Sequence, residues 1–176
     1  EIRDKVTADI AVKLANTGHL TLTTLHTNNA PSAITRLYKM GIEPFLLAYS
    51  INIIVAQRLV RKLCDHCKQP LTEDMYESAM SLGLSREELE SGNIYMPVGC
   101  SKCTDGYKGR ICLVEALYFY PEIRAEIIRS ASEIDEDKIR KIAEKHGMLS
   151  MRESGLERVR AGSTSITEVL HTTSDI

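Results

Sequence analysis

The sequence lacks any stretch able to cross a membrane as a helix: its most apolar run, Pro44 to Ala56, is much too short and reads as a buried helix. It also lacks an excess of one charge. Against 24 acidic residues stand 22 Lys and Arg, for a net charge of −2, so the basic stripe of a dedicated nucleic-acid binder is missing. No secretory signal is visible, and there is no internal repeat or low-complexity segment. What remains is the composition of an ordinary globular protein, 43% apolar and 26% charged, long enough for one substantial core or two small ones.

Cysteine supplies the first positive signal. Four of the five cysteines fall in two C-x-x-C pairs, Cys64 and Cys67 in Leu-Cys-Asp-His-Cys-Lys, then Cys100 and Cys103 in Gly-Cys-Ser-Lys-Cys-Thr. Two such pairs present four thiolates in two tight turns, the arrangement that closes a tetrahedral zinc site with no open position. A Zn(Cys)4 centre carries about two negative charges, which suits the nearby Arg58, Arg61, Lys62, Lys68 and Lys102. Gly99, Gly106 and Gly109 let the backbone approach the sulfurs. Two other readings compete. A disulfide framework suits small secreted domains, and a redox motif is expected once, beside a β-α-β pattern, rather than twice. His66 is expected to point outward and Cys112 to be an inert thiol in an apolar strand; five cysteines without an export signal fit a reducing cytosol.

Along the chain, Asp4 is a credible N-cap for a helix to Gly18 whose stripe is Val6, Ile10 and Leu14, with Ala8, Ala11 and Ala15 beside it. His19 to His26 alternates as a strand. Asn28 or Asn29 caps the next helix, with Pro31 in its first turn and Ile34, Leu37 and Tyr38 facing the core up to Gly41. Pro44 opens another helix to about Ala56, and Arg58 to Leu63 turns to strand. Helix, strand, helix, helix, strand is half of an α/β domain. Residues 68–99 hold short helices near Glu73 to Met80 and behind the capping box Ser85-Arg86-Glu87-Glu88. Arg110 to Tyr120 is a long apolar strand stopped by Pro121. Only helices follow, the last two opened by Ser150 and Ser165 with Glu153 and Glu168 three residues on.

Candidates for chemistry are Glu1, Arg3, His19 and His26. The histidines lie seven apart, so a regular strand puts them on opposite faces and they do not form one metal site. His26 falls at the carboxyl end of the strand, where α/β sheets hold ligands, and His19 at its start. On composition alone each reads as a structural histidine and Glu1 as a solvated terminal charge.

Glu1-Ile2-Arg3-Asp4 followed by Thr7-Ala8, and Thr17-Gly18-His19-Leu20 through Thr24-Leu25-His26-Thr27-Asn28, resemble the secretion ATPases of type II secretion and type IV pilus assembly. Ala56 to Cys64, both cysteine pairs, Gly106-Tyr107-Lys108-Gly109-Arg110 and the tail from Gly147 through Gly155 to Gly162-Ser163-Thr164 extend the resemblance over essentially the whole chain. The cysteine quartet points to the assembly branch. The resemblance implies that Glu1 is the Walker B glutamate, acting on the attacking water or Mg²⁺, and that His26 senses the γ-phosphate. Arg3 and His19 would support that site or pass its state to a neighbouring subunit. Three departures stand out: the G-x-x-x-x-G-K-[ST] phosphate loop does not occur, Val6 stands where a glutamate is usual, and Asn29 where an aspartate is frequent.

The expected architecture is α/β: the C-terminal part of a RecA-like core over 1–63, a tetracysteine zinc insert over 64–103, a returning core strand over 104–120 and a helical lobe over 121–176. The chain is expected to be a fragment of a homo-hexamer that uses MgATP. The complete motor would be cytoplasmic and peripheral at the inner membrane, with platform and assembly proteins as partners and no direct nucleic acid. A zinc-stapled adaptor without catalysis is the alternative. The Glu1 carboxylate is expected to be mobile, and loss of Cys100 to unsettle the insert while leaving the terminal helices folded.

Overall fold

A computed structural model describes residues 1–130 and 133–174 of the chain. Its contacts divide into two compact units, residues 1–56 with 115–149 and residues 57–114 with 150–176. Among the described residues no helix is long and apolar enough to cross a membrane.

In the first unit, α1 (Lys5–Asn16) begins where the Asp4 side chain accepts from Thr7 N, the anticipated cap. Its orientation differs from the expected one. Ala8 and Val12 are buried, whereas Val6, Ile10 and Leu14 are 68%, 55% and 44% exposed. The helix has two apolar stripes, and the one carrying Ala8, Ala11 and Val12 packs into the core on the side of α3 (Pro44–Ser50). Periodicity alone does not choose between them.

Residues 19–27 form no strand among the described residues, contrary to the alternation of Leu20 and Leu22, which are 91% and 86% exposed. Their backbone bond to residues 1–3 is Ile2 N to Thr24 O, 2.9 Å, and one such bond does not make a strand ladder. After them α2 (Ala30–Lys39) starts on a reciprocal capping box between Asn29 and Ser32. Helix α3 stops at Ser50, six residues short of the expected end, because Ile53-Ile54-Val55 is a β-branched run that favours strand. Thus β1 runs Ile53–Leu63.

Strand β4 (Tyr107–Tyr118) pairs with β1. Phe119 N bonds Asn52 O and Cys64 N bonds Gly106 O, so the start of one strand meets the end of the other and the pair is antiparallel. The boundary between the units falls inside both strands. Pro121 opens α6 (Pro121–Arg129), whose Ile123 and Ile127 are fully buried; Arg124 donates to Ala48 O and Phe119 O and so ties α6 to α3. Helix α7 (Glu136–Lys145) packs on α2 and α6, with Lys138 and Arg129 pairing the buried Glu126 at 2.7 and 3.0 Å.

The second unit holds β2 (Gln69–Pro70), a 3₁₀ turn at Glu73–Met75, α4 (Tyr76–Met80), α5 (Arg86–Glu90) and β3 (Tyr95–Met96) between the cysteine pairs. It also holds α8 (Met151–Arg160) and α9 (Ile166–Thr173). The helices anticipated as one terminal lobe over 121–176 are therefore shared: α6 and α7 pack in the first unit, α8 and α9 in the second, and Ala131, Ser132, Asp175 and Ile176 lie outside the described residues. Leu84, Leu89 and Ile94 from the insert share one core with Leu156, Val159 and Val169. Helices α8 and α9 approach so closely that a Cβ on Gly155 would lie 2.5 Å from Val169 Cγ1, which leaves room only for glycine.

Glu168 of α9, 8% exposed, accepts from Arg61 N, Nε and Nη2 at 2.9, 2.9 and 2.6 Å, joining α9 to β1. Burial alone would raise its pKa, but the Arg61 hydrogen bonds outweigh it and hold the carboxyl below the ordinary 4.5. A carboxylate with a depressed folded-state pKa stabilises fully above the unfolded value and loses its contribution as pH falls through the folded one. The second unit should therefore lose stability on the acid side of pH 4.5. Glu168→Gln should cost about 1–2 kcal/mol at neutral pH, since Arg61 stays partly solvated, and the deficit should shrink in acid. Urea melts of both proteins at pH 7 and in acid test this; a pH-independent difference would contradict it.

A four-cysteine metal centre and a histidine–carboxylate cluster

Beyond Leu63 the chain turns tightly, with Cys67 N at 3.2 Å and Lys68 N at 3.0 Å from Cys64 O. The second pair repeats the turn: Cys103 N donates to Cys100 O at 3.3 Å and Cys100 N to Cys103 Sγ at 3.3 Å. Gly106 makes the approach of the two turns possible. Its φ is +84°, and a Cβ there would lie 2.5 Å from Pro97 Cβ and 2.8 Å from Val98 N, while its carbonyl takes Cys64 N at 2.8 Å.

The four sulfurs lie within 4.8 Å of one another, with Cys67–Cys103 at 3.7 Å and Cys100–Cys103 at 3.6 Å. A tetrahedral ion with bonds of about 2.3 Å spaces its sulfurs about 3.8 Å apart, whereas a disulfide needs about 2.05 Å. All five cysteines are free, and the spacing is that of ligands around one ion. The donor set fits a metal ion and is compatible with zinc. His66 is exposed and outside the cluster, as its position between two ligands suggested.

Without a metal the thiols share their protons unequally. Burial, with hydrogen bonds to neighbouring sulfurs, pushes Cys67 up to about 12. Burial also opposes ionisation of Cys103, but hydrogen bonds from Cys100 N, the Cys100 and Cys67 thiols and Gly106 N prevail and bring it to about 7. Ligation of a cation requires thiolates, so metal uptake at this cluster is coupled to proton release. The expected counter-charge role of Lys62 and Lys68 is modified, because both pair with Asp65, at 3.0 and 3.2 Å.

Sequence reasoning missed how this centre is tied to the tail. Lys68 Nζ donates to Gly162 O at 2.9 Å, Leu63 N to Ser163 O at 2.9 Å and Thr164 Oγ1 to Arg61 O at 2.8 Å. These partners lie about a hundred residues apart in the chain, so no local pattern announces them.

In the first unit, the bond between Ile2 N and Thr24 O aligns residues 1–3 with residues 24–26. Glu1 then sits between a guanidinium and an imidazole: Arg3 Nη2 at 2.7 Å from Oε2 and His26 Nε2 at 2.9 Å from Oε1. The carboxylate expected to be mobile has two partners. The Arg3 hydrogen bond is the largest influence and outweighs the opposing effect of burial, so its pKa lies below the ordinary carboxylate value, with His26 beside it acting in the same direction. The His26 ring is 82% exposed, and its carbonyl takes Arg36 Nη1 at 2.7 Å. His19 does not join them; its Nδ1 lies 3.0 Å from Thr17 Oγ1. An ionised carboxylate beside an imidazole and a guanidinium is suited to orienting a water or cation.

Comparison with known proteins places the chain in one family. Residues 1–171 match the family described as type II/IV secretion system protein. The type IV pilus assembly ATPase PilB of Acinetobacter baylyi is 42% identical over 177 residues, covering 99% of this chain and 30% of that protein. PilB of Thermus thermophilus is 45% identical over 97% of this chain and 19% of its own length. The type II secretion system protein E of Pectobacterium carotovorum is 43% identical over 99% of this chain and 34% of its own. The chain belongs to the type II/IV secretion system protein family, and it spans about a third or less of the length of these relatives.

Purified chain should carry one metal ion per molecule, and Cys100→Ser should lose it. Because insert and terminal helices share one core, metal loss should raise amide exchange in α8 and α9 as well as in α4 and α5, unlike the confined effect expected from sequence. Elemental analysis with hydrogen exchange checks both; protection of α8 and α9 that survives metal removal would overturn the second point.

Proposed function

We propose that this chain is the C-terminal part of a hexameric ATPase that couples ATP hydrolysis to assembly of a type IV pilus or secretion pseudopilus, serving pilus extension, protein secretion or DNA uptake. The observation that carries the reading is the match to secretion-system proteins across residues 1–171, with pilus assembly ATPases among the relatives. On this reading the first unit belongs to a RecA-like core and the four cysteines hold a structural zinc. Zinc is the metal assigned because a closed set of four sulfurs suits a tetrahedral, redox-inert ion. The motor would work at the cytoplasmic face of the inner membrane, peripherally, with platform and assembly proteins as partners and without direct contact to nucleic acid.

MgATP supplies the phosphoryl group when bound. Glu1 would hold the attacking water or a Mg²⁺ ligand in place, His26 would meet the γ-phosphate, and Arg3 would keep Glu1 ionised. His19, apart from this cluster, would act by relaying nucleotide state to a neighbouring subunit. Phosphoryl transfer depends chiefly on such positioned charge. In the complete enzyme His26→Ala should lower kcat by about 10- to 100-fold with a smaller change in KM, because a γ-phosphate sensor acts at the hydrolysis step. Steady-state ATPase assays decide this, and full activity would reduce His26 to a structural residue.

The 176 residues by themselves should not hydrolyse ATP. The α- and β-phosphates need a run of backbone N–H groups and a lysine, and no G-x-x-x-x-G-K-[ST] motif occurs here. Titration calorimetry should show no tight MgATP binding, and phosphate release should match the buffer. If a phosphate loop were absent from the whole coding sequence too, the zinc-stapled adaptor would replace this reading.

A further inference from the structure

We propose that Glu115 is a positioning residue for His26, acting through the N-terminus of α2. The inference rests on the reading of His26 as the group that meets the γ-phosphate. Glu115 is 2% exposed on β4, on the strand face it shares with the fully buried Leu113 and Leu117. A carboxylate among leucines is costly unless hydrogen-bonded, and Glu115 Oε1 accepts from Ala30 N at 2.7 Å. The contact completes the first turn of α2, because the N–H of fully buried Ala30 is the donor that the local cap leaves over. Asn29 N already bonds Ser32 Oγ, Ser32 N bonds Asn29 Oδ1, and Pro31 has no N–H to satisfy. What Glu115 adds is a long-range anchor: it fixes where α2 begins relative to β4.

That beginning carries His26. Thr27 Oγ1 bonds Asn29 O, and Arg36, further along α2, returns to the His26 carbonyl at 2.7 Å. The ring itself is 82% exposed, so little packing of its own holds it. Its place beside Glu1 is inherited from its main chain, which is held on one side by the Ile2–Thr24 bond and on the other by α2, whose first turn Glu115 anchors. A displacement of about 1 Å in such a group is enough to cost up to a hundredfold in rate.

The test is a double-mutant cycle in the complete enzyme. Glu115→Ala should lower kcat by about 10- to 100-fold with KM for MgATP unchanged, and Glu115→Gln, whose amide oxygen can still accept from Ala30 N, should recover most of the loss. In a His26→Ala background, Glu115→Ala should cost nothing further. Arg36→Ala, at an exposed site where folding is not at stake, should show the same lack of additivity with His26→Ala. In the 176-residue chain the His26 ring ¹H–¹³C resonance should move on Glu115→Ala or Arg36→Ala while that of His66 stays. Additive losses, or a His26 resonance that ignores both variants, would overturn the positioning role and leave the sensor reading intact. Full activity of His26→Ala would remove the sensor reading and the inference with it. If Glu115→Ala does not assemble, the Arg36 cycle and the resonance decide.

Discussion

Four sulfur atoms held within 4.8 Å of one another are the constraint on which the second unit depends. Thiolates cannot share that space without a cation between them, and thiols gain little from sharing it. A metal ion joining Cys67 to Cys103, a separation of 36, would remove on the order of 4 kcal/mol of unfolded-state freedom by the chain-entropy estimate used for cross-links. Against total stabilities of about 5–15 kcal/mol, that is a large share. The short helices between the pairs are too small to persist alone, α4 and α5 having five residues each. They are held by the closed loop beneath them and by the core they share with α8 and α9. The cysteine cluster also adjoins the end of β1, and with it the loop 162–164 and the Arg61–Glu168 pair.

The first unit is organised differently, around an apolar core crossed by a few well-placed charges. Buried Glu126 is met by Lys138 and Arg129, and buried Glu115 reaches the start of α2. Each is tolerable only because hydrogen bonds replace lost solvent. The Glu1, Arg3 and His26 cluster, by contrast, sits in solvent, where charge pairs are weak and screened. This contrast explains why the anchors of the cluster lie deeper than the cluster itself.

Helix and turn boundaries were legible because their causes are local. Asp4, Asn29, Ser85, Ser150 and Ser165 each cap within three residues, and Pro121 opens its helix in place. The metal centre was legible for a related reason: each C-x-x-C is its own turn, and ligand chemistry narrows what two such turns can do. The early end of α3 was readable in Ile53-Ile54-Val55, but the apolar run concealed it, since a buried helix and a buried strand look alike in hydrophobicity.

By itself the sequence determined the caps, the cysteine turns and the long strand β4, all of which rest on chemistry within a few positions. Only the tertiary structure decided which stripe of α1 is buried, that residues 19–27 stay out of a ladder, and how the last four helices divide between the units. It also decided that Glu168 answers Arg61 across 107 positions and Glu115 answers Ala30 across 85. The physical reason is one of range. Hydrogen bonds inside a turn are written where they form, whereas burial and the pairing of buried charge depend on whatever surface the rest of the chain brings alongside.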